Sequence, residues 1–112
     1  MLKIYCLCAA WCRTCDAYKN IFISLQHHWP DRVSAVWVDV EDHANELGDV
    51  DIETFPTLMI ADTLVVYFIG PVLPQQAVAH RLVDQILAGN VPALEDARIL
   101  SLMLRLEEAS TS

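Results

Sequence analysis

Ala10-Trp11-Cys12-Arg13-Thr14-Cys15 is the stretch on which the reading of this 112-residue chain turns. Two cysteines separated by two residues stand one helical turn apart, close enough to join reversibly as a disulfide. Their surroundings say which use of that spacing is meant. A short apolar strand is predicted from Leu2 to Ala9, and a helical pattern runs over 12–28 with Tyr18, Ile21, Phe22 and Leu25 on one side before Trp29-Pro30 ends it. A CxxC between a strand and a helix reads as redox chemistry rather than as a structural staple. The helix start supplies the means, because its unpaired N–H groups and the positive end of its dipole favour an anion. Cys12 is therefore the expected nucleophile, partly thiolate near neutral pH and helped by the cation of Arg13, with Cys15 as its resolving partner.

Composition narrows what such a chain can do. One domain over 1–112 is expected, and 54% hydrophobic residues with a mean hydropathy of +0.34 suffice for a core without staples. A net charge of −8 and a pI near 4.7, with no cluster of Lys or Arg, make nucleic acid and anionic membrane surfaces poor partners. No run reaches the roughly 18 apolar residues of a membrane span. The opening MLKIYCLCAA has neither a basic leader nor a separate cleavage site, so a cytoplasmic location is expected. A reducing compartment suits a cycling dithiol better than a structural disulfide.

Farther along, residues 33–39 (VSAVWVD) read as a strand, and the acidic stretch 39–48 as a short helix running into a loop. Pro56 precedes a strand at 57–60, a turn at Ala61-Asp62-Thr63 and a second strand at 64–69, which together make a hairpin. Gly70-Pro71 ends it. A helix over 74–88, closed by Gly89-Asn90, and a last helix over about 92–108 complete the chain.

This order resembles the thioredoxin family, and four features carry the resemblance: Ala10-Trp11-Cys12-x-x-Cys15, the acidic strand end VDVED (38–42), Phe55-Pro56-Thr57, and Gly70 after the last strand. The implied fold is a minimal α/β thioredoxin-like core, β-α-β-α-β-β-α, over about 2–88. An additional C-terminal helix follows at about 92–108, and the extra N-terminal strand and helix of longer thioredoxins are missing. The resemblance implies a thiol–disulfide oxidoreductase for protein disulfides, supplied by an external electron donor and needing no cofactor. It also implies a cis Phe55–Pro56 bond, with Trp11, Phe55, Pro56 and Gly70 framing a groove for an extended substrate. The competing class is a binding module or complex subunit in which disulfide exchange is secondary.

The departures from that pattern are chemical. Six residues before the first cysteine, where thioredoxins bury an Asp, stands Cys6, and the lysine that accompanies that Asp is replaced by Trp37. The buried base near the resolving thiol is thus lost. The dipeptide Arg13-Thr14 is neither Gly-Pro nor Pro-Tyr, and Asn20 takes the place of the usual kinking proline. Cys6-x-Cys8 together with Cys12-x-x-Cys15 would supply four thiols to zinc. However, positions 6 and 8 share one strand face and are expected to fill the core, away from the helix N-terminus. No metal is assigned. The four histidines show no ligand spacing. Segment 93–108 is apolar on more than one side, enough to cover the sheet and to leave surface for a homodimer.

Overall fold

The computed structural model describes all residues except 1, 49, 51, 53, 63, 64 and 112. Eight elements follow one another: β1 (Leu2–Cys8), α1 (Arg13–His28), β2 (Val33–Asp39), α2 (Ala44–Leu47), β3 (Thr57–Asp62), β4 (Val65–Pro71), α3 (Gln76–Leu87) and α4 (Ala97–Thr111). The turn expected at Ala61-Asp62-Thr63 and the strand start at Leu64 fall partly outside the described residues.

The strands lie in the order β2-β1-β3-β4, with β1 parallel to β2 and the other pairs antiparallel. Strand β1 is central, and its side chains alternate strictly between two cores. Ile4, Cys6 and Cys8 meet Cys15, Tyr18, Phe22 and Leu25 of α1 and Ala79, Val83 and Ile86 of α3. Tyr5 and Leu7 meet Leu47, Leu102, Met103 and Leu106 on the opposite side. The result is a sheet between two helical layers. Along β4 the alternation slips by one at Tyr67, because Ile60 pairs with Phe68 but Ala61 with Val66.

Helix ends follow local chemistry. The first helix runs unbroken to His28, as expected with Asn20 in place of proline. At the end of α3, Gly89 at φ 79° lets Asn90 N–H reach back to Gln85 O at 3.0 Å and closes the helix. The last helix begins at Ala97, not near Pro92. Asp96 caps it, its carboxylate accepting from Arg98 N–H at 3.0 Å, while the preceding residues run alongside β4 and Leu94 N–H donates to Val66 O at 2.8 Å.

The extra helix covers the sheet face opposite α1 and α3. Leu102, Met103 and Leu106 are buried there, whereas Leu104 on the outer side stays 45% exposed. A polar clamp fixes its far end: Glu107 accepts from Lys3 Nζ at 2.7 Å and from Tyr5 Oη at 2.9 Å. These hydrogen bonds, Lys3 first, hold the Glu107 carboxyl below its ordinary range. Burial, and then the carboxylate beside it, push the Tyr5 phenol well up.

A carboxyl whose pKa is lowered on folding stabilises the protein fully above its unfolded value, and that contribution fades as pH falls through the folded one. Because Glu107 is partly exposed, Glu107→Gln should cost only about 0.5–1 kcal/mol at pH 7 and low salt. Urea unfolding at pH 7 and at pH 3.5 checks this, with the wild-type advantage expected to be smaller at the lower pH.

Candidate functional site

Strand β1 ends at Cys8, and five residues later α1 begins; what lies between is turned by a bond from Cys12 N–H to Ala9 O at 3.0 Å. Cys12 is the N-cap of α1 with extended backbone (φ −85°, ψ 115°), and its side chain makes no capping hydrogen bond. Its carbonyl accepts the first helical bond, from Asp16 N–H at 3.3 Å. The thiol is free and half-buried, whereas Cys15, three residues into the helix, is 1% exposed. Arg13 and Thr14 face solvent.

The second wall comes from the loop before β3. The Phe55–Pro56 peptide bond is cis. Trp11, 70% exposed, sets its ring edge-to-face against Phe55 with centroids 5.8 Å apart, and Phe55 and Cys12 both pack on the core beneath α1. Pro56 is buried, and its carbonyl accepts from Val72 N–H at 3.2 Å, which ties this loop to the chain leaving β4. Gly70 lies in β4 opposite Leu58, one residue before the Thr57–Pro71 pair. A Cβ there would stand 3.3 Å from Cζ of Phe68, a tight contact that a shift of that ring by a few tenths of an ångström would relieve.

One expectation is corrected. Cys8 does fill the core, but it is not remote from the helix N-terminus: its Sγ is bonded to Sγ of Cys15, with Cα atoms 5.9 Å apart. The reason is facial. Cys15 begins the buried stripe of α1 that continues through Tyr18, Phe22 and Leu25, and Cys8 is the last member of the β1 face this stripe covers. The 15-18-22-25 spacing shows one half of that coincidence, and the alternation of β1 the other. Cys15 is thereby engaged with Cys8, leaving Cys12 and Cys6 as free thiols. The β1–β3 register places Cys8 beside the proline as well, since Leu7 pairs with Thr57 and the next residues along are Cys8 and Pro56.

Where the resemblance implies a buried carboxylate and its lysine, Cys6 and Trp37 are direct cross-strand partners. Burial pushes the Cys6 thiol up to about 12. Tyr18, whose buried hydroxyl has no hydrogen-bond partner among the described residues, is likewise pushed up, by burial first and by Cys6 second. Trp37 packs edge-on to Phe22 at 5.8 Å, with Lys19 Nζ 5.7 Å from its ring centre. Cys6 and Tyr18 thus stay protonated near neutral pH, and neither replaces the missing base.

Exposure sets the order of reactivity. In the reduced protein, iodoacetamide at neutral pH should label Cys12 at least about tenfold faster than Cys6, Cys8 or Cys15. Mass-spectrometric mapping of a labelling time course checks this, and earlier labelling of any buried cysteine would reverse the assignment.

Similarity to known proteins agrees with this geometry. The Thioredoxin family model matches residues 4–68, more than half of the chain. No curated protein matches it. Among solved structures, mitochondrial thioredoxin 3 of Saccharomyces cerevisiae in its oxidised form superposes with a TM-score of 0.65 at 15% identity, covering 75% of this chain and 77% of that one. The germline-specific thioredoxin Deadhead of Drosophila melanogaster gives 0.63 at 15% identity, with 78% and 79% covered. Thioredoxin-2 of the malaria parasite gives 0.68 at 14% identity, with 76% and 82% covered. At such identities the structural likeness speaks for the fold, and the sequence match speaks for descent: the chain belongs to the thioredoxin family.

Proposed function

We propose that this protein is a thiol–disulfide oxidoreductase acting on disulfides in extended protein segments. The observation that carries the reading is Cys12: a free, half-exposed thiol at the start of α1, next to Trp11 of the Trp11–Phe55 pair and followed one turn later by a buried cysteine. Cys12 attacks a substrate disulfide, one substrate sulfur leaves as a thiolate, and Cys12 is left in a mixed disulfide. Cys15 then attacks Cys12 Sγ, releasing the second substrate sulfur and closing Cys12–Cys15. An external dithiol donor returns the pair to its reduced form. Trp11 and Phe55 offer an apolar seat, and the Phe55 backbone next to the cis peptide suits the addition of an extended strand. Pro56 and Gly70 frame the same groove. A reducing cytoplasm is the compartment we propose for this cycle.

A second reading, a module that captures partners without turning over, is favoured by one observation. With Cys15 held by Cys8, Cys12 can form a mixed disulfide that nothing inside the protein resolves.

Catalysed reduction of a generic protein disulfide by dithiothreitol separates the two. The reduced wild-type protein should turn over, Cys12→Ser should fall to the uncatalysed rate, and Cys15→Ser should accumulate the mixed disulfide on Cys12. Trp11→Ala should raise KM about two- to tenfold with kcat little changed, the size expected for losing one aromatic contact. With Cys6 in the place of the family's buried carboxylate, single-turnover resolution should accelerate with pH, by up to about tenfold per unit.

A further inference from the structure

Four cysteines gather at the C-terminal end of β1 and the start of α1, and the cycle above uses two of them. Sγ of Cys8 is bonded to Cys15, Sγ of Cys6 lies 3.5 Å from Sγ of Cys8, and Cys12 stands one helical turn before Cys15. Cys15 therefore has two partners within reach, one on the strand below it and one on its own helix. We propose that Cys8 is a third redox cysteine of this site, taking Cys15 from Cys12 by internal thiol–disulfide exchange and returning Cys12 to the surface as a free thiol. The proposal rests on the oxidoreductase reading, which delivers the disulfide to Cys12–Cys15 in the first place.

The step balances without any outside reagent. Once a substrate has been reduced, the disulfide stands at Cys12–Cys15. Deprotonated Cys8 attacks Sγ of Cys15; the Cys8–Cys15 bond forms as Cys12–Cys15 breaks. The electron pair leaves on Sγ of Cys12, which takes up from solvent a proton equivalent to the one Cys8 gave up. One disulfide is made, one is lost, and the oxidation state of the protein is unchanged.

Cys6 supports this as a positioning residue. With Cys8 in a disulfide, only Cys6 has a hydrogen to offer across their 3.5 Å contact, so its S–H donates to Sγ of Cys8. Burial keeps that thiol protonated. The same S–H faces Cys8 when it is a thiolate and stabilises that anion where the surroundings are otherwise apolar. Exchange has a functional outcome. The protein that has spent its reducing equivalents still presents Cys12 at the groove, able to seize a second disulfide but not to let it go until Cys8–Cys15 is reduced.

The test maps disulfides in the full chain over time. Reduced protein is oxidised with one equivalent of diamide, quenched in acid, alkylated with N-ethylmaleimide under denaturing conditions and digested with trypsin. Cleavage after Arg13 puts Cys15 on a different peptide from Cys6, Cys8 and Cys12. In wild type, Cys12–Cys15 should appear first and give way to Cys8–Cys15 with Cys12 alkylated. In Cys8→Ala, and in Cys8→Ser as a second variant, Cys12–Cys15 should persist, with Cys12 alkylation about tenfold lower than in wild type. Cys12→Ala should slow formation of Cys8–Cys15 by about tenfold, because the two buried thiols then meet the oxidant only directly. Cys6→Ala should slow the transfer but not the formation of Cys12–Cys15. Circular dichroism confirms that each variant is folded. A wild-type protein that stops at Cys12–Cys15, or a Cys8–Cys15 bond that forms equally fast without Cys12, overturns the proposal. Its failure is distinct from failure of the reading it rests on, which is judged by wild-type turnover of a protein disulfide.

Discussion

Burial of β1 on both faces is the constraint to which the rest of the molecule answers. From Leu2 to Cys8 every residue but Lys3 is buried, and the strand is hydrogen-bonded on both edges, to β2 and to β3. A strand so enclosed cannot shift by one residue without exchanging its two core-facing rows. Its register therefore fixes where it ends, and the end is where the chain turns into Trp11 and Cys12. The thiol of Cys12 is set at the sheet margin by packing several residues upstream, on side chains such as Leu2, Ile4, Tyr5 and Leu7.

Much of this was legible in the sequence because the local signals agreed with the global ones. The apolar run 2–9, the 18-21-22-25 stripe and the breaks at Trp29-Pro30 and Gly89-Asn90 all mark boundaries that the structure places within a residue or two. Two readings failed for a shared reason. The pattern puts the start of the last helix at about Pro92, whereas Asp96 provides the cap and Leu94 bonds to β4. Cys8 reads as a core residue away from the helix N-terminus, whereas it meets Cys15. Both depend on which surface one element turns toward another, and strand or helix periodicity alone does not carry that. In the case of Cys8 the information was present but split, half in the alternation of β1 and half in the stripe of α1.

At the candidate site the two positions where the family resemblance implies a buried Asp and its Lys hold sulfur and aromatic surface, Cys6 and Trp37. A carboxylate in the position of Cys6 would have to be buried as an anion or carry a raised pKa, and either costs stability unless a partner is supplied. Thiol and indole need no such partner. The exchange relieves the core of a buried charge and, in the proposed cycle, leaves Cys15 without that group as a base. Cys8, two residues along the same face of β1, is the residue bonded to Cys15. Stability and chemistry are thus traded at the same row of the sheet.

The clamp from Glu107 to Lys3 and Tyr5 joins residues 104 and 102 positions apart. For a chain made from its N-terminus this means that one face of the sheet stays bare until α4 has left the ribosome. During that interval Tyr5, Leu7, Met59 and Val66 are exposed together. Through that delay this apolar face is open to chaperones, and its exposure ends only when α4 docks.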